Sequence, residues 1–462
     1  MSPSTSSAGS GLRLGPFCLA WTVFVIYGSL VPLDFHPLPW AVAWQRLVDA
    51  PMLKLGVESR ADWVANGVLY LPVGFLATAV LQGAAAHNGR KLVAGLLGLA
   101  FGVALALAVE LAQTAFPPRT VSRNDLLAEA IGTALGMLIA LAGTSRMLAL
   151  LASWGRGGWA LAASLAPFYA LLFPALALFP FDLLLNAQEW QTKLTGPLVG
   201  LWLAESSYKL GSFRLLTKLA VETAAVMPLG ALWLAWRQQA RPAASARSAQ
   251  APSLLRAALV GAALGLVIEA AQLALASGQS QGVSVLTRSL GFALGVAAWQ
   301  CQASLRAETL RAWLRRLTWP VLGLTLLLLV QYNKAWQGPW MSLGEVQQRF
   351  QSELHFVPFY YHYFTTEMHA ITSLLAVSLS YAPLGLLGWA WHARPGLVAT
   401  LAGMLSASME LSKLVARPTH PDPTNLLIAA AAAWLTQALV TRLFLTQATA
   451  PVTAAPDTGA RR

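Results

Sequence analysis

Charged residues are scarce in this sequence: Asp, Glu, Lys and Arg make up 11% of its 462 residues, against roughly 25% in an ordinary soluble domain. Cysteine is scarcer still, and two residues allow neither a disulfide framework nor a thiolate metal cage. What the chain has is apolar length, with 56% of residues from the apolar set and a mean hydropathy of +0.57. These values exclude a single soluble core and predict a membrane protein with many spans.

About twelve apolar stretches reach the roughly 20 residues that cross a bilayer as a helix. They lie near 14–33, 62–83, 92–116, 125–143, 159–180, 214–236, 254–277, 284–301, 319–335, 369–392, 396–415 and 425–446. The predicted fold class is therefore all-α, a polytopic integral membrane protein. An even number of spans places both termini on the same side of the membrane.

The net charge of +12 would indicate a nucleic-acid partner in a soluble protein, but here its distribution over the loops indicates topology. With Met1 inside, the inner segments hold seventeen Lys or Arg and only two acids, Glu308 and Asp457. The positive-inside rule then predicts that both termini are cytoplasmic. The expected partners are membrane lipids, with no nucleic acid.

Internal repetition divides the chain. A Pro-x-Gly motif recurs at Pro72, Pro228 and Pro383, with spacings of 156 and 155 residues. Glu110 and Glu269 each begin a Glu-x-x-Gln motif and each stand 22 residues before a Gly-x-x-x-Gly motif. These repeats predict three parallel four-helix units, 14–150, 151–310 and 311–446, between cytoplasmic tails 1–13 and 447–462. The Ala/Ser/Arg/Pro-rich linker 237–253 and the C-terminal tail are predicted to be disordered.

The first unit carries a pattern of polar residues, proline and glycine: Asp62, Asn66, Pro72, Gly74, Glu110, Gln113, Arg119, Asp125, Glu129, Gly132 and Gly136. In this pattern it resembles the VanZ-like family of small membrane proteins. Glu129 departs from the pattern, since the family more often has Asn there. The resemblance implies a bacterial cytoplasmic (inner) membrane, a link to the cell envelope and an effect on susceptibility to glycopeptides of the teicoplanin type. It implies neither a cofactor nor an established catalytic mechanism.

Polar residues within the spans of the first unit form the candidate site. An ionisable group at the bilayer centre costs about 2.5–3.5 kcal/mol, so each one needs a partner or a wet cavity. Glu110 and Glu129 flank the loop that contains the Phe116-Pro-Pro break, so we expect them to face each other near the outer surface. The candidate ligand-binding residues are Asp62, Asn66, Glu110, Gln113, Arg119, Arg123, Asp125 and Glu129.

Three interpretations of this cluster remain open at the level of sequence. Two close carboxylates that share a proton suit the binding of an amine or a sugar hydroxyl, and the arginines suit a phosphate or carboxylate. Alternatively, the cluster is a polar knot that holds the helices together, with Arg119 or Arg123 neutralising Glu110. A third interpretation is acid/base catalysis by the glutamates.

In the other units the corresponding positions carry complementary charges, which predicts structural ion pairing. The candidate pairs are Lys218 with Glu222, Glu269 with Arg288, and Glu410 with Lys413. We therefore expect the first unit alone to keep a site. His355, His362 and His369 recur every seven residues near Glu367, but Pro358 interrupts any helix there, so no metal site is predicted.

The expected function is that of a non-transporting envelope protein that binds an amphiphile, such as a lipid-linked sugar, a glycolipid or a glycopeptide, at the outer face. A transporter or flippase is the second class, although parallel repeats lack the inverted symmetry of many transporters. An intramembrane acid/base enzyme is the third. The sequence contains no complete catalytic constellation and sets no oligomeric state.

Overall fold

A computed structural model describes residues 14–83, 88–154, 157–239, 252–301, 306–336, 338–416 and 420–444. The fold is 78% helical with almost no strand, and the predicted all-α polytopic membrane class is confirmed. The N-terminal tail 1–13, most of the predicted linker (240–251) and the C-terminal tail from 445 lie outside the described residues.

The helices fall into three consecutive sets. The first set contains α1 (Gly15–Leu30), α2 (Trp40–Val48), α3 (Val57–Gln82), α4 (Asn88–Gln113) and α5 (Arg123–Trp154). The second contains α6 (Gly158–Ala177), α7 (Ala187–Thr195), α8 (Glu205–Tyr208), α9 (Ser212–Gln239), α10 (Leu254–Leu273) and α11 (Gly282–Gln300), with β1 (Val199–Gly200) and β2 (Ser280–Gln281). The third contains α12 (Ala307–Arg316), α13 (Thr318–Asn333), α14 (Leu343–Ser352), α15 (Tyr360–Tyr363), α16 (Glu367–Ala390), α17 (Pro395–Val415) and α18 (Thr424–Phe444). The predicted unit boundaries at 150 and 310 fall inside α5 and α12.

Ten helices in the described part are long and apolar enough to span a membrane, or eleven if the bent pair α12 and α13 is one span. The sequence predicted about twelve. The difference lies at α1 and α13, which have 16 residues each. α1 ends at Leu30 because Val31 precedes Pro32 and adopts an extended conformation. The α12–α13 pair is bent by 64°.

Close helix packing depends on glycine. Extensive contacts join α3 to α5, α9 to α11, and α16 to α18. A Cβ on Gly136 would collide with the Leu71 carbonyl, and one on Gly295 with the Met227 carbonyl. The Gly-x-x-x-Gly motifs therefore mark helix contacts. Large apolar side chains such as Leu96, Leu138 and Leu266 face outward, where lipid replaces water as the solvent.

One end of the bundle is tied together by loop contacts, and we call it the site end. The His36 N–H donates to the Ala115 carbonyl at 2.7 Å, which joins the loop after α1 to the loop between α4 and α5. β1 pairs in parallel with β2, and a β-bridge joins Trp340 to Ala416. In each set, the segment between the first apolar helix (α1, α6 or α13) and the next spanning helix (α3, α9 or α16) thus contacts the loop before the last helix of that set.

Candidate ligand-binding cavity

A cavity of about 360 Å³ opens at the site end, between α3, α4 and α5. Seven of the eight predicted site residues line it: Asp62, Asn66, Glu110, Gln113, Arg119, Asp125 and Glu129. Glu110 is the fourth residue from the end of α4, and Glu129 the seventh from the start of α5. At 1.5 Å per residue, both lie within about 10 Å of their helix ends.

Glu110 and Glu129 are the buried acids of the cavity, with 2% and 3% of their surface exposed. The Oε2 atom of each has no hydrogen-bond partner among the described residues. The Ser122 backbone N–H faces the Glu110 carboxylate as a donor, and the Tyr70 side chain lies next to Glu129. A buried carboxylate oxygen without a donor costs about 1–3 kcal/mol or more. The Tyr70 hydroxyl, which also has no partner among the described residues, is the protein donor beside Glu129; otherwise the two Oε2 atoms need a proton or a donor from another molecule.

Asp125 differs from these glutamates because both of its oxygens are satisfied. Asn66 Nδ2 donates to Oδ1 at 2.8 Å, and Ser122 Oγ donates to Oδ2 at 2.6 Å. Ser122 precedes α5 and also accepts from the Asp125 backbone N–H at 3.2 Å, which is a helix-capping arrangement. Asp125 thus fixes Asn66 of α3 against the start of α5.

Arg119 lines the cavity but binds main-chain carbonyls. Its Nε donates to the Val31 carbonyl and one terminal nitrogen to the Gly28 carbonyl, both at 2.7 Å. A cation at the C-terminal end of a helix such as α1 is favourable. Burial lowers the pKa of Arg119, yet a guanidinium stays charged in proteins. In the polar-knot interpretation Arg119 or Arg123 neutralises Glu110; no ion pair joins Arg119 to Glu110 in the described part of the chain, although the charge of Arg119 acts on Glu110 at longer range.

Arg123 lies outside the cavity, contrary to the sequence prediction. It is exposed, and its side chain donates to the Val48 carbonyl at 2.8 Å. Its backbone N–H donates to the Pro51 carbonyl at 3.1 Å. As the first residue of α5 it points toward the loop after α2, so it holds that loop instead of facing a ligand.

Two residues of the third set complete the cavity wall, and the sequence analysis did not predict them there. Tyr363 and Glu367 both line it. The Arg119 guanidinium lies 4.2 Å from the centre of the Tyr363 ring, a cation–π contact. Nearby, the Tyr27 hydroxyl donates to the Pro358 carbonyl at 2.7 Å. The sequence offers one signal for these two residues: aromatic residues and an acid stand at the start of a predicted span, on the same side of the membrane as the predicted site.

A second cavity of about 940 Å³ adjoins the first and shares Asp62, Tyr363 and Glu367 with it. It also reaches Asp182 of the second set and Phe364. Asp182 is buried, and its Oδ2 accepts from the Ser277 backbone N–H at 2.8 Å. All three helix sets therefore contribute to the two adjoining cavities.

Glu269, in the second helix set, has charged and backbone partners. The Arg288 guanidinium pairs with Glu269, and both side chains are buried. The Gln281 backbone N–H also donates to Glu269. Lys218 Nζ lies 3.9 Å from Glu222 Oε1. Both ion pairs predicted for this part of the chain are therefore present.

Both carboxylate oxygens of Glu410, in the third helix set, likewise accept hydrogen bonds from the protein. Lys413 Nζ and Asn425 Nδ2 both donate to its Oε1 at 2.8 Å. The Asp422 backbone N–H donates to its Oε2 at 2.8 Å. The predicted Glu410–Lys413 pair is present, and no carboxylate oxygen of Glu410 is left for a ligand.

The histidines of the third set do not converge. His362 Nδ1 lies 3.4 Å from Asp422 Oδ2, whereas the His355 ring stacks on Tyr360 with 3.9 Å between ring centres. Within the described residues, no group of three or more His, Cys, Asp or Glu side chains is arranged to hold a metal ion.

The comparison with protein families gives a match in the part of the chain that forms the first cavity. Residues 17–146 match the family model described as VanZ/LLP1. This region of the chain is similar to the VanZ-like family. No curated protein and no solved structure matches the chain. The VanZ-like region includes every cavity residue except Tyr363 and Glu367.

Proposed function

We propose that this VanZ-like membrane protein binds the head group of an amphiphile, a lipid, glycolipid or glycopeptide, in the cavity of its first unit. The observation that carries the proposal is the pair of buried, unpartnered Oε2 atoms of Glu110 and Glu129. Donor groups of a ligand would satisfy both atoms. A head group that offers several donors, such as a sugar or an amine, fits a cavity of about 360 Å³.

The contrast between the units supports ligand binding over a purely structural role. In a polar knot each buried carboxylate has its own donors, as Glu269 and Glu410 have. Glu110 stands at the same register and keeps one oxygen without a partner. The first unit therefore retains a capacity for binding that the other two have converted to ion pairing.

The position of the cavity suits a ligand with an acyl chain. The cavity opens near the ends of α3 and α5, and Val68 and Leu127 on these helices are about half exposed. An acyl chain can lie along this apolar surface while the head group enters the polar cavity. A soluble polar ligand would make no use of the apolar surface.

The three-unit organisation is part of the proposal, and a backbone contact supports it. In each unit the glutamate faces the backbone N–H of the residue twelve positions later: Ser122 for Glu110, Gln281 for Glu269 and Asp422 for Glu410. Gene duplication accounts for a shared contact at a shared spacing. The basic residues of the loops opposite the site end favour cytoplasmic termini. The site end would then face outward from a bacterial cytoplasmic membrane.

Mass spectrometry of the amphiphiles that co-purify with the full-length protein tests the proposal. We expect one class of amphiphile to be enriched over the bulk membrane and to be lost in Glu129→Gln. Glu205→Gln, which removes an exposed acid, is the matched control and should retain it. Equal lipid profiles for the wild type and Glu129→Gln would contradict the proposal.

Two further measurements, one in cells and one in reconstituted vesicles, test the expected effect on glycopeptide susceptibility and the alternative of transport. Expression in a susceptible bacterium should lower susceptibility to a teicoplanin-type glycopeptide, and Glu129→Gln should abolish this effect. Reconstituted vesicles should bind the amphiphile without moving it to the inner leaflet. Movement between leaflets would favour the flippase alternative.

A further inference from the structure

The charge of the cavity indicates what kind of head group it takes, and this inference rests on the proposed function. Five carboxyl groups line the cavity, from Asp62, Glu110, Asp125, Glu129 and Glu367, against one cation, Arg119. Arg119 directs its hydrogen bonds to the carbonyls of Val31 and Gly28. The carboxyl groups are therefore left without a cation of the protein in direct contact, and an anionic head group would be repelled.

The third unit strengthens this acidic character at the entrance. The carboxyl groups of Asp62 and Glu367 lie side by side, and both border the adjoining cavity that also contains Asp182. The rings of Tyr363 and Phe364 border the same space. Carboxylates together with aromatic rings are the groups that hold organic ammonium ions in proteins.

A metal ion does not suit this arrangement. Metal ligands must converge on one point at about 2.0–2.6 Å, and no described group of three or more potential ligands does so. An ammonium group instead donates up to three hydrogen bonds. It can satisfy the Oε2 atoms of Glu110 and Glu129, which are nine-tenths or more buried and line the cavity.

We propose that the cavity selects a head group that carries an amine in its ammonium form, and that Glu367 of the third unit is a specificity residue. The inner acids, Glu110 and Glu129, receive the donors of the ammonium group. The outer acids, Asp62 and Glu367, place negative charge at the entrance and disfavour phosphate-only head groups. The site thus belongs to the first unit and is completed by the third.

The test compares two lipids that differ only at the nitrogen. Full-length protein in detergent is titrated with phosphatidylethanolamine and with its N-acetylated form, whose nitrogen carries no charge, and binding is followed by native mass spectrometry. We expect the wild type to prefer the free amine by about tenfold, the ratio given by one charge-assisted hydrogen bond. Glu367→Gln and Asp62→Asn should each bring this ratio towards one, and Glu205→Gln should leave it unchanged.

A second arm identifies the source of the amine. Ethanolamine, which has no acyl chain, is added as a competitor; if it displaces the lipid at comparable concentration, the ammonium chemistry stands and the ligand is a free amine. Equal binding of the two lipids, or preferential binding of phosphatidylglycerol, would overturn the inference while leaving amphiphile binding intact. Failure of the wild type to bind any amphiphile would overturn both the inference and the proposed function.

Discussion

The guanidinium of Arg288 pairs with the carboxylate of Glu269 in the interior of the second helix set, where both side chains are at most 8% exposed. Nineteen residues separate the two, and nineteen separate Glu110 from Glu129 in the first unit. The same spacing therefore holds a buried ion pair in the second helix set and two acids in the first.

Arg288→Met should destabilise the protein strongly. The substitution leaves Glu269 buried without its cation, which costs about 3–5 kcal/mol. Thermal unfolding of the purified protein in detergent measures the loss. The double variant Glu269→Leu/Arg288→Met removes both charges and should recover most of the stability, so a double variant as unstable as the single one would contradict this explanation.

Glu110→Gln and Glu410→Gln should have opposite effects. Glu110→Gln keeps an oxygen for the Ser122 N–H and should leave the free energy of unfolding within about 1 kcal/mol of the wild type, while amphiphile binding is lost. Glu410→Gln leaves the largely buried Lys413 without its carboxylate and should cost about 3 kcal/mol or more, while binding is retained. Thermal unfolding and lipid mass spectrometry on both variants test these two expectations. A loss of stability in Glu110→Gln would favour the polar-knot interpretation.

Local contacts of the site could be predicted from sequence, and long-range contacts could not. The sequence predicts the pairing of Glu269 with Arg288 because complementary charges stand nineteen residues apart, the same spacing as Glu110 and Glu129. The sequence also predicts Arg119 as a site residue, but its hydrogen bonds to carbonyls of α1 depend on where α1 ends. That end is set by Val31 before Pro32, which also makes α1 shorter than the predicted span.

The position of Tyr363 and Glu367 in the first cavity could not be predicted from the sequence. They belong to the third set of helices and reach the first cavity only through the way the sets pack. Hydrophobic periodicity fixes which residues share a helix face, and it says nothing about which helix of a distant set lies opposite. The contact between Arg60 and Glu189 has the same character.

Gly136→Ala should destabilise the α3–α5 contact. The added Cβ would collide with the Leu71 carbonyl, and overpacking of this kind costs about 1–3 kcal/mol. Gly143→Ala in the same helix is the matched control, because a Cβ there meets nothing within 4 Å. The amount of folded protein in the membrane and its unfolding temperature should fall for Gly136→Ala alone.

The hydrogen bonds of Glu189 should make the stability of the folded protein fall at acid pH. The Arg60 guanidinium donates to its two carboxylate oxygens at 2.9 and 3.0 Å, and this hydrogen bonding, with a further contribution from the Leu185 N–H, lowers the pKa of Glu189 to about 2. A lowered pKa stabilises the folded state above the ordinary value of 4.5, and the stabilisation is lost as the pH falls from there towards 2.

Thermal unfolding between about pH 5 and pH 2 checks this dependence. The unfolding temperature of the wild type should fall more steeply with acid than that of Glu189→Gln. Glu205→Gln, which also removes one carboxylate, should follow the wild type. Parallel curves for the wild type and Glu189→Gln would contradict the role of this ion pair.

The most direct test of the central claim is a cryo-electron microscopy map of the full-length protein in nanodiscs made with its native lipids. We predict density for a head group in the cavity, within hydrogen-bonding distance of the Glu110 and Glu129 carboxyl groups, continuous with an acyl chain along α3 or α5. A cavity closed by a side chain of the protein, with both Oε2 atoms hydrogen-bonded to that side chain, would contradict the account.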